Sequence, residues 1–205
     1  MKKIVSLILV AALLASVCAL GSCGKISGLH YVEIMVKDYG LIKLELDADT
    51  APITVKNFLK LVKSGFYDGL TFHRIMEGFM IQGGDPNGDG SGGSKTIKGE
   101  FSSNGVENGI SHRRGVISMA RRGDGLTYEN GKLVYKTQYD SGSCQFFIMH
   151  EDNTNLDGLY AAFGWVIEGM DVVDAIATSV PVTDDNGTVK AGYAPVIEYI
   201  RIVDK

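Results

Sequence analysis

The sequence has few prolines, cysteines and tryptophans and no excess of positive charge, and each shortage excludes a class of protein. It contains 4 Pro, 3 Cys and 1 Trp in 205 residues, with a formal net charge of −4. So little proline, together with a hydrophobic content of 45%, argues against a disordered or low-complexity chain. The negative charge provides no basic face, so no nucleic-acid partner is expected. The length suits one domain with a hydrophobic core.

The N-terminus has the layout of a secretory signal peptide. Lys2 and Lys3 precede the uncharged, mostly apolar segment Ile4–Leu20, and this order is typical of secretion signals. The residues Leu20-Gly21-Ser22-Cys23 resemble the bacterial lipobox, in which the cysteine is diacylated and becomes the new N-terminus. A plain cleaved signal and an uncleaved membrane anchor remain as alternatives. For the anchor, the apolar segment lies at the lower limit of the length that spans a bilayer.

These features predict three segments. Residues 1–22 would be a lipoprotein signal peptide, 23–29 the lipidated N-terminus with a short tether, and 30–205 one domain without an internal linker. Lipid on Cys23 would anchor the domain to a membrane, outside the cytoplasm and within the cell envelope. Cys144 would then be the lone thiol of that domain, so no disulfide framework is possible.

Two local patterns predict the first elements of the domain. Tyr31–Lys37 and Leu41–Leu46 alternate apolar and polar residues on either side of a short turn, which indicates a hairpin. Thr50 as a cap and Pro52 in the first turn predict a helix, which Gly65 would end.

The rest of the domain consists mostly of short apolar runs between glycine-rich turns. One further helix is predicted from about Met170 to Ala177, where apolar residues recur at helical spacing. Two helices among many strands favour a closed barrel, because closure removes exposed sheet edges. Periodicity alone leaves a two-sheet sandwich open as an alternative.

The segment from Phe72 to Asp85, FHRIMEGFMIQGGD, is the most informative part of the chain. It offers a permanent cation, Arg74, and a neutral amide, Gln82, beside an apolar surface, but no Ser, Cys or Lys as a nucleophile. Two short strands joined at Glu77-Gly78 are predicted, with Met80 and Gln82 on the same face. Such a site suits a reaction that rearranges charge without breaking a covalent bond.

Other motifs are weaker. Gly88–Gly93 satisfies the dinucleotide-binding G-x-G-x-x-G pattern, but no helical stripe follows it. The same region imitates half of a calcium loop, but Thr96 stands where a bidentate Glu is needed. The four histidines lack metal-ligand spacing, and His73 should face away from its neighbour Arg74. We therefore expect neither a metal nor an organic cofactor.

Several motifs together resemble the cyclophilin family of peptidyl-prolyl cis-trans isomerases. The FHRIMEGFMIQGGD segment is preceded by PITVKNF (52–58) and GFYDG (65–69). It is followed, in the family's order, by GVISMA (115–120), CQFFI (144–148) and LDGLYAAFGWV (156–166). The resemblance covers about Tyr31 to Val203. It implies a closed eight-stranded antiparallel barrel capped by two α-helices, with a proline-binding groove on its outer surface.

The resemblance also implies an activity and a set of site residues. The activity would be peptidyl-prolyl isomerisation (EC 5.2.1.8) in the folding of extracytoplasmic proteins, with proline-containing unfolded polypeptides as partners and a monomer as the working form. Arg74 would be catalytic, with Gln82 holding the substrate backbone. The substrate-binding positions would be Phe79, Met80, Ala120, Gln145, Phe147, Asn155, Leu156 and Tyr160. The alternative is a proline-peptide binding module or envelope scaffold without turnover.

Two positions depart from the family's pattern at the rim of the groove. Asn155 stands where many eukaryotic cyclophilins have a tryptophan, and Tyr160 where they have an active-site histidine. Because that tryptophan contributes to drug recognition in the family, we expect weakened cyclosporin binding with isomerase activity retained.

A third departure is the expanded segment 121–143. Its residues 126–136 alternate on both sides of an Asn-Gly turn, which strongly indicates a hairpin. The hairpin is either a tolerated surface insertion, which costs little free energy, or a border of the groove that biases the residue preceding proline.

Overall fold

The structure is a computed structural model that describes residues 26–205, so the predicted signal peptide and Cys23 lie outside the described residues. Among the described residues, no helix is long and apolar enough to cross a membrane. In chain order the strands and helices are β1 Leu29–Val36, β2 Gly40–Asp47, α1 Pro52–Lys63, β3 Thr71–Met76, β4 Met80–Asp85, β5 Val116–Met119, β6 Gly125–Glu129, β7 Lys132–Lys136, β8 Phe146–Met149, β9 Ala161–Glu168, α2 Met170–Ser179 and β10 Ile197–Val203. Short 3₁₀ turns occupy Ser102–Asn104 and Thr154–Leu156.

Eight strands form one antiparallel sheet in the order β10-β1-β2-β9-β5-β8-β4-β3, and β6 and β7 form a separate hairpin. The predicted mainly-β architecture with two helices is confirmed, as are the hairpins β1–β2, β3–β4 and β6–β7. Asn130 and Gly131 both adopt positive φ at the tip of the last hairpin, which is the conformation that a tight two-residue turn requires.

The sheet is an open half-barrel, so the predicted closed barrel is wrong. Its edge strands β3 and β10 form no ladder with each other. Where their ends approach, the contact is limited to the isolated pair Thr71–Val196 and a few backbone hydrogen bonds, such as Phe72 N–H to the carbonyl oxygen of Pro195. Pro195 has no N–H with which to extend this pairing. Farther along β3, the segment 187–189 pairs with the free edge instead. The N–H of Ile75 donates to the carbonyl oxygen of Gly187, and the N–H of Val189 donates to the carbonyl oxygen of His73.

The core lies on the concave side of the sheet, beneath α1. The buried face of α1 carries Val55, Phe58, Leu59 and Val62. Phe58 contacts the rings of Tyr67, Phe146 and Phe163 at centroid distances of 5.2–5.6 Å. This aromatic cluster fixes the inner face of β8, whose other face is left for the site.

The cap of α1 differs from the prediction. Thr50 donates its hydroxyl to Asp47 rather than capping the helix, and Ala51 occupies the cap position without a side-chain hydrogen bond. The carboxylate of the buried Glu100 accepts instead from the backbone N–H groups of Ile53 and Thr54 at 3.0 and 2.8 Å. A carboxylate satisfies the free donors and the positive end of a helix N-terminus.

Replacement of Glu100 by Ala should therefore destabilise the domain. The substitution leaves buried donors without an acceptor, which costs on the order of 2–3 kcal/mol. Urea unfolding followed by circular dichroism measures this loss. The matched control is Glu107→Ala, an exposed acidic residue of the same loop region, which should change the free energy of unfolding by less than about 0.5 kcal/mol. Equal effects of the two substitutions would contradict the capping role.

Candidate active site

A pocket of about 180 Å³ opens on the convex face of the sheet, where β3, β4 and β8 meet the 3₁₀ turn before β9. Most of the residues predicted for the site line it. They are Arg74, Phe79, Met80, Gln82, Ala120, Phe147, Leu156 and Tyr160, joined by Arg121. The antiparallel register explains this convergence, because Arg74 pairs with Gln82 and Gln82 pairs with Phe147 across neighbouring strands.

The guanidinium of Arg74 is held in place by three hydrogen bonds. Nε donates to the carbonyl oxygen of Asn186 at 2.8 Å, Nη1 to Oε1 of Gln82 at 3.2 Å, and Nη2 to Sδ of Met76 at 3.1 Å. Partial burial lowers the pKa of Arg74, but an arginine keeps its charge at neutral pH. A guanidinium has five N–H donors, so two make no hydrogen bond to the described part of the chain and can serve a ligand.

Gln82 connects Arg74 to a second polar residue. Its Nε2 donates to Oε1 of Gln145 at 2.9 Å, and Nε2 of Gln145 donates to the carbonyl oxygens of Gly90 and Gly92. The glycine-rich loop after β4 thus orients the amide beside Arg74. Gln145 lies outside the pocket lining and in an adjoining polar cavity of about 140 Å³, which shares Gln82, Ala120 and Arg121 with it.

The apolar floor of the pocket is largely buried and supported from below. Phe147 and Met80 are almost fully buried. The ring of Tyr160 packs edge-on against Phe147 with centroids 5.7 Å apart, and the ring of His112 stacks behind Phe147 at 6.1 Å. The pocket floor is therefore a preformed apolar surface that can receive a small apolar ring.

His112 belongs to a hydrogen-bonded row that the sequence patterns did not reveal. Its Nδ1 lies 2.8 Å from Oδ1 of Asp157, and its Nε2 lies 3.0 Å from Oγ of Ser118. The row has the residue types of a hydrolase triad, but Ser118 is fully buried, so no substrate reaches its hydroxyl. Its role is to fix the ring behind Phe147 and the turn that carries Leu156.

Arg121 was predicted only as the start of the insertion, but it lines the pocket. Its guanidinium carbon lies 4.9 Å from the ring centroid of Tyr160 and 5.2 Å from that of Tyr139. It also donates to Oδ1 of Asp124 at 2.8 Å and to the carbonyl oxygen of Leu159 at 2.8 Å. A cation stacked on aromatic rings and paired with a carboxylate is held rigidly, so Tyr160 is fixed at the rim.

The segment that holds Arg74 was also missed from sequence. Asp184 accepts from the backbone N–H groups of Asn186 and Thr188, which folds a tight loop against β3. A Cβ on Gly187, which has φ +80°, would lie 2.2 Å from the carbonyl oxygen of Ile75. Only glycine permits this approach, and the approach places the carbonyl of Asn186 against Arg74.

Two sequence expectations fall at the margin of the site. Asn155 is exposed on the 3₁₀ turn beside Leu156 and is not among the pocket-lining residues, so its contact with a substrate stays a prediction. His73 is buried on the face opposite Arg74, as the strand geometry predicts. Both of its ring nitrogens lack a hydrogen-bond partner within residues 26–205.

The glycine-rich lookalike motif has a local structural role. Asp85 accepts from the backbone N–H groups of Asn87, Asp89 and Gly90, so the loop wraps around this carboxylate. Within the described residues, no group of three or more His, Cys, Asp or Glu side chains is arranged to hold a metal ion.

Comparisons with known proteins agree with this geometry. Residues 31–198 match the family model described as "Cyclophilin type peptidyl-prolyl cis-trans isomerase/CLD". Peptidyl-prolyl cis-trans isomerase B of Bacillus subtilis is 41% identical over 138 residues, which are 67% of this chain and 83% of that protein. Peptidyl-prolyl cis-trans isomerase-like 2 of Rhizopus delemar is 38% identical over 161 residues, covering 78% of this chain but only 27% of that relative.

A solved structure shows the same fold. The crystal structure of a cyclophilin type peptidyl-prolyl cis-trans isomerase from Cryptosporidium parvum matches with a TM-score of 0.70 at 31% identity, covering 87% of this chain and 99% of that chain. A second crystal structure of that protein was determined in the presence of the dipeptide Ala-Pro. The chain belongs to the cyclophilin-type peptidyl-prolyl cis-trans isomerase family. Its activity is accordingly that of a peptidyl-prolyl cis-trans isomerase, EC 5.2.1.8.

The buried histidine behind Phe147 predicts a pH dependence of stability. Burial is the main cause that lowers the pKa of His112, against the opposing effect of Asp157, and burial likewise lowers the pKa of His73. As the pH falls below the ordinary histidine value of about 6.5, the unfolded chain binds protons that the folded chain does not. The free energy of unfolding should therefore decrease below about pH 6.5.

Urea titrations between about pH 5 and 7 measure this decrease. The variant His112→Gln, which has no ring to titrate, should show a smaller decrease in the free energy of unfolding over that range. The double variant His73→Gln/His112→Gln should show a still smaller decrease. An unchanged pH profile in both variants would show that neither histidine couples folding to protons.

Proposed function

We propose that this isomerase acts on X-Pro bonds of extracytoplasmic polypeptides, with Arg74 as the catalytic residue. The carrying observation is the position of Arg74 at the wall of the apolar pocket, fixed by Asn186 and Gln82 with two N–H donors left over. The preformed floor around Phe147 and Met80 would receive the proline ring. Neither role requires a metal or an organic cofactor.

The chemistry follows from the peptide bond itself. Delocalisation of the nitrogen lone pair into the carbonyl sets a rotation barrier of roughly 18–20 kcal/mol. In the twisted transition state the lone pair is localised on a pyramidal nitrogen. A donor aimed at that nitrogen binds the twisted form more tightly than the planar form, which is the condition for catalysis. Arg74 supplies such a donor, and its own fixed position avoids reorganisation during the reaction.

The rest of the pocket would orient the substrate. Gln82 keeps one lone pair on Oε1 and one N–H on Nε2 for the substrate backbone, because Arg74 and Gln145 each use only one of its hydrogen-bonding positions. Acceleration from about 0.01 to about 1000 per second requires roughly 7 kcal/mol. A charge-assisted hydrogen bond in a partly dry site would supply about half of this, and orientation and exclusion of water would supply the remainder.

Removal of the Arg74 side chain tests catalysis against the alternative of a non-catalytic proline-peptide binding module. Arg74→Ala should lower kcat/KM for a short X-Pro peptide by about 10²–10³-fold, the loss typical of one preorganised donor. The control is Arg113→Ala, an exposed arginine whose partner Asp152 lies away from the pocket lining, which should leave the rate unchanged. Absent activity in the unmodified protein, or activity indifferent to Arg74→Ala, would favour the binding module.

The location outside the cytoplasm and the lipid on Cys23 are part of the same proposal. Its main support is the signal and lipobox pattern of residues 1–23. A second support is the surface around Ile26, three positions after Cys23, which lines an apolar groove with the exposed side chains of Lys56, Lys60 and Lys95. Among the described residues, these lysines form no ion pair within 4.0 Å. A basic surface at the tether suits anionic lipid headgroups.

Metabolic labelling tests the anchor. Bacteria that express the full chain should incorporate a labelled fatty acid into the protein, and Cys23→Ala should abolish the labelling. Cys18→Ala is the matched control and should retain it. Label that persists in Cys23→Ala would refute the lipobox interpretation.

Asn155, at the rim of the pocket, bears on drug binding. Asn155 offers no aromatic surface where many cyclophilins have a tryptophan, so cyclosporin should bind this protein more weakly. Asn155→Trp should strengthen cyclosporin binding by about tenfold, which corresponds to roughly 1.4 kcal/mol of added packing. Isothermal titration calorimetry measures both proteins. A tight affinity in the unmodified protein would contradict the expectation. We also propose a monomer as the active form, because the proposed catalysis uses no group beyond Arg74, Gln82 and the pocket floor of one chain.

A further inference from the structure

The hairpin formed by β6 and β7 presents an exposed apolar face. Leu126, Tyr128, Leu133 and Tyr135 are 66%, 75%, 52% and 67% exposed. Leu126 pairs with Tyr135, and Tyr128 pairs with Leu133, directly across the hairpin. Because side chains two apart on a strand and directly opposite on its partner share a face, all four project on the same side.

This arrangement is unusual for a surface that faces only water. The opposite face of the hairpin carries the half-buried Thr127 and Val134, so the larger apolar side chains are on the exposed side. On this opposite face, Glu129 near the tip and Lys136 at the base form an ion pair at 2.6 Å, so neither charge lies on the apolar face. A contiguous exposed apolar patch of this kind marks an interaction site.

The base of the hairpin is tied to the wall of the proline pocket. Arg121, which lines the pocket, donates to Oδ1 of Asp124, and the same oxygen accepts from the backbone N–H of Gln138 at 2.7 Å. Asp124 therefore joins both ends of the hairpin to one pocket residue. Arg122 and Ser141, at the two ends of the insertion, also line the polar cavity that adjoins the proline pocket.

We propose that the face of Leu126, Tyr128, Leu133 and Tyr135 binds an apolar stretch of the client polypeptide several residues away from the proline. The occupant is an unfolded chain, because such a chain exposes the apolar and aromatic side chains that match this face, and because Asp124 ties the base of the hairpin to Arg121 in the pocket lining. A strand of five residues is about 17 Å long, enough to contact several client residues. The inference rests on the proposed isomerase function and extends it to client selection.

The test compares two substrates and two variants of the full chain in detergent micelles. The quadruple variant Leu126→Ser, Tyr128→Ser, Leu133→Ser and Tyr135→Ser removes the apolar face. The control variant Leu29→Ser and Ile202→Ser removes exposed side chains, 49% and 38% exposed, from β1 and the neighbouring edge strand β10. The substrates are a short X-Pro peptide with polar flanks and a reduced, carboxymethylated protein whose refolding is limited by proline isomerisation.

The quadruple variant should retain its kcat/KM for the short peptide within about twofold and lose about tenfold for the refolding protein, mainly through a higher KM. The control variant should match the unmodified protein on both substrates. Unchanged rates on both substrates would overturn the proposal. Equal losses on both would overturn it as well, because they would mean that the hairpin acts only by positioning Arg121.

A binding measurement separates this inference from the proposed function. Fluorescence anisotropy of a labelled, permanently unfolded polypeptide should show about tenfold weaker binding to the quadruple variant, whether or not the protein is an active isomerase. Lack of peptide turnover with retained hairpin-dependent binding would refute the catalytic proposal alone. Sedimentation tests for a second copy as the occupant. An unmodified protein that sediments as a dimer, with a quadruple variant that sediments as a monomer, would overturn the client proposal.

Discussion

The hydrogen bonds that hold the Arg74 guanidinium are the interaction on which the rest of the site depends. Nε is occupied by the carbonyl of Asn186 and Nη1 by Gln82, so the plane of the fork is set from two sides. One of these partners comes from the loop at residues 184–188 and the other from β4. In the proposed mechanism, a fixed cation beside an apolar floor lets a protein without a nucleophile at this site act on a peptide bond, since the catalytic requirement is a donor aimed at a lone pair.

The open edge of the sheet and the catalytic geometry have the same structural origin. Gly187 and Val189 pair with β3 where a closed barrel would place β10, and this pairing brings Asn186 to Arg74. The sheet consequently lacks a complete ladder between its edge strands, but it gains a carbonyl acceptor for the guanidinium of Arg74. On the other side of the pocket, the Asp157–His112–Ser118 row and the stacked Arg121 hold Phe147 and Tyr160. The pocket is thus held in shape by a buried row behind its lining and by Arg121 within the lining.

Much of the fold and of the site could be predicted from sequence because the signals are local. Period-two alternation located the three hairpins, and helical spacing located α1 and α2. Strand geometry placed Met80 and Gln82 on one face and turned His73 away from Arg74. The features that were missed depend on contacts distant in the chain. Glu100 caps α1 from 46 residues away, and Asn186 reaches Arg74 across 112 residues. Neither contact leaves a periodic pattern, and the tight approach of Gly187 to β3 becomes evident only in three dimensions.

Catalysis by Arg74 depends on where its free donors point when a substrate is bound. A crystal structure of the domain with a short X-Pro peptide measures this directly. We expect the proline ring on the floor formed by Phe147 and Met80, with an N–H of Arg74 within about 3 Å of the prolyl nitrogen. A proline ring bound elsewhere, or a guanidinium turned away from the prolyl nitrogen in the complex, would contradict it.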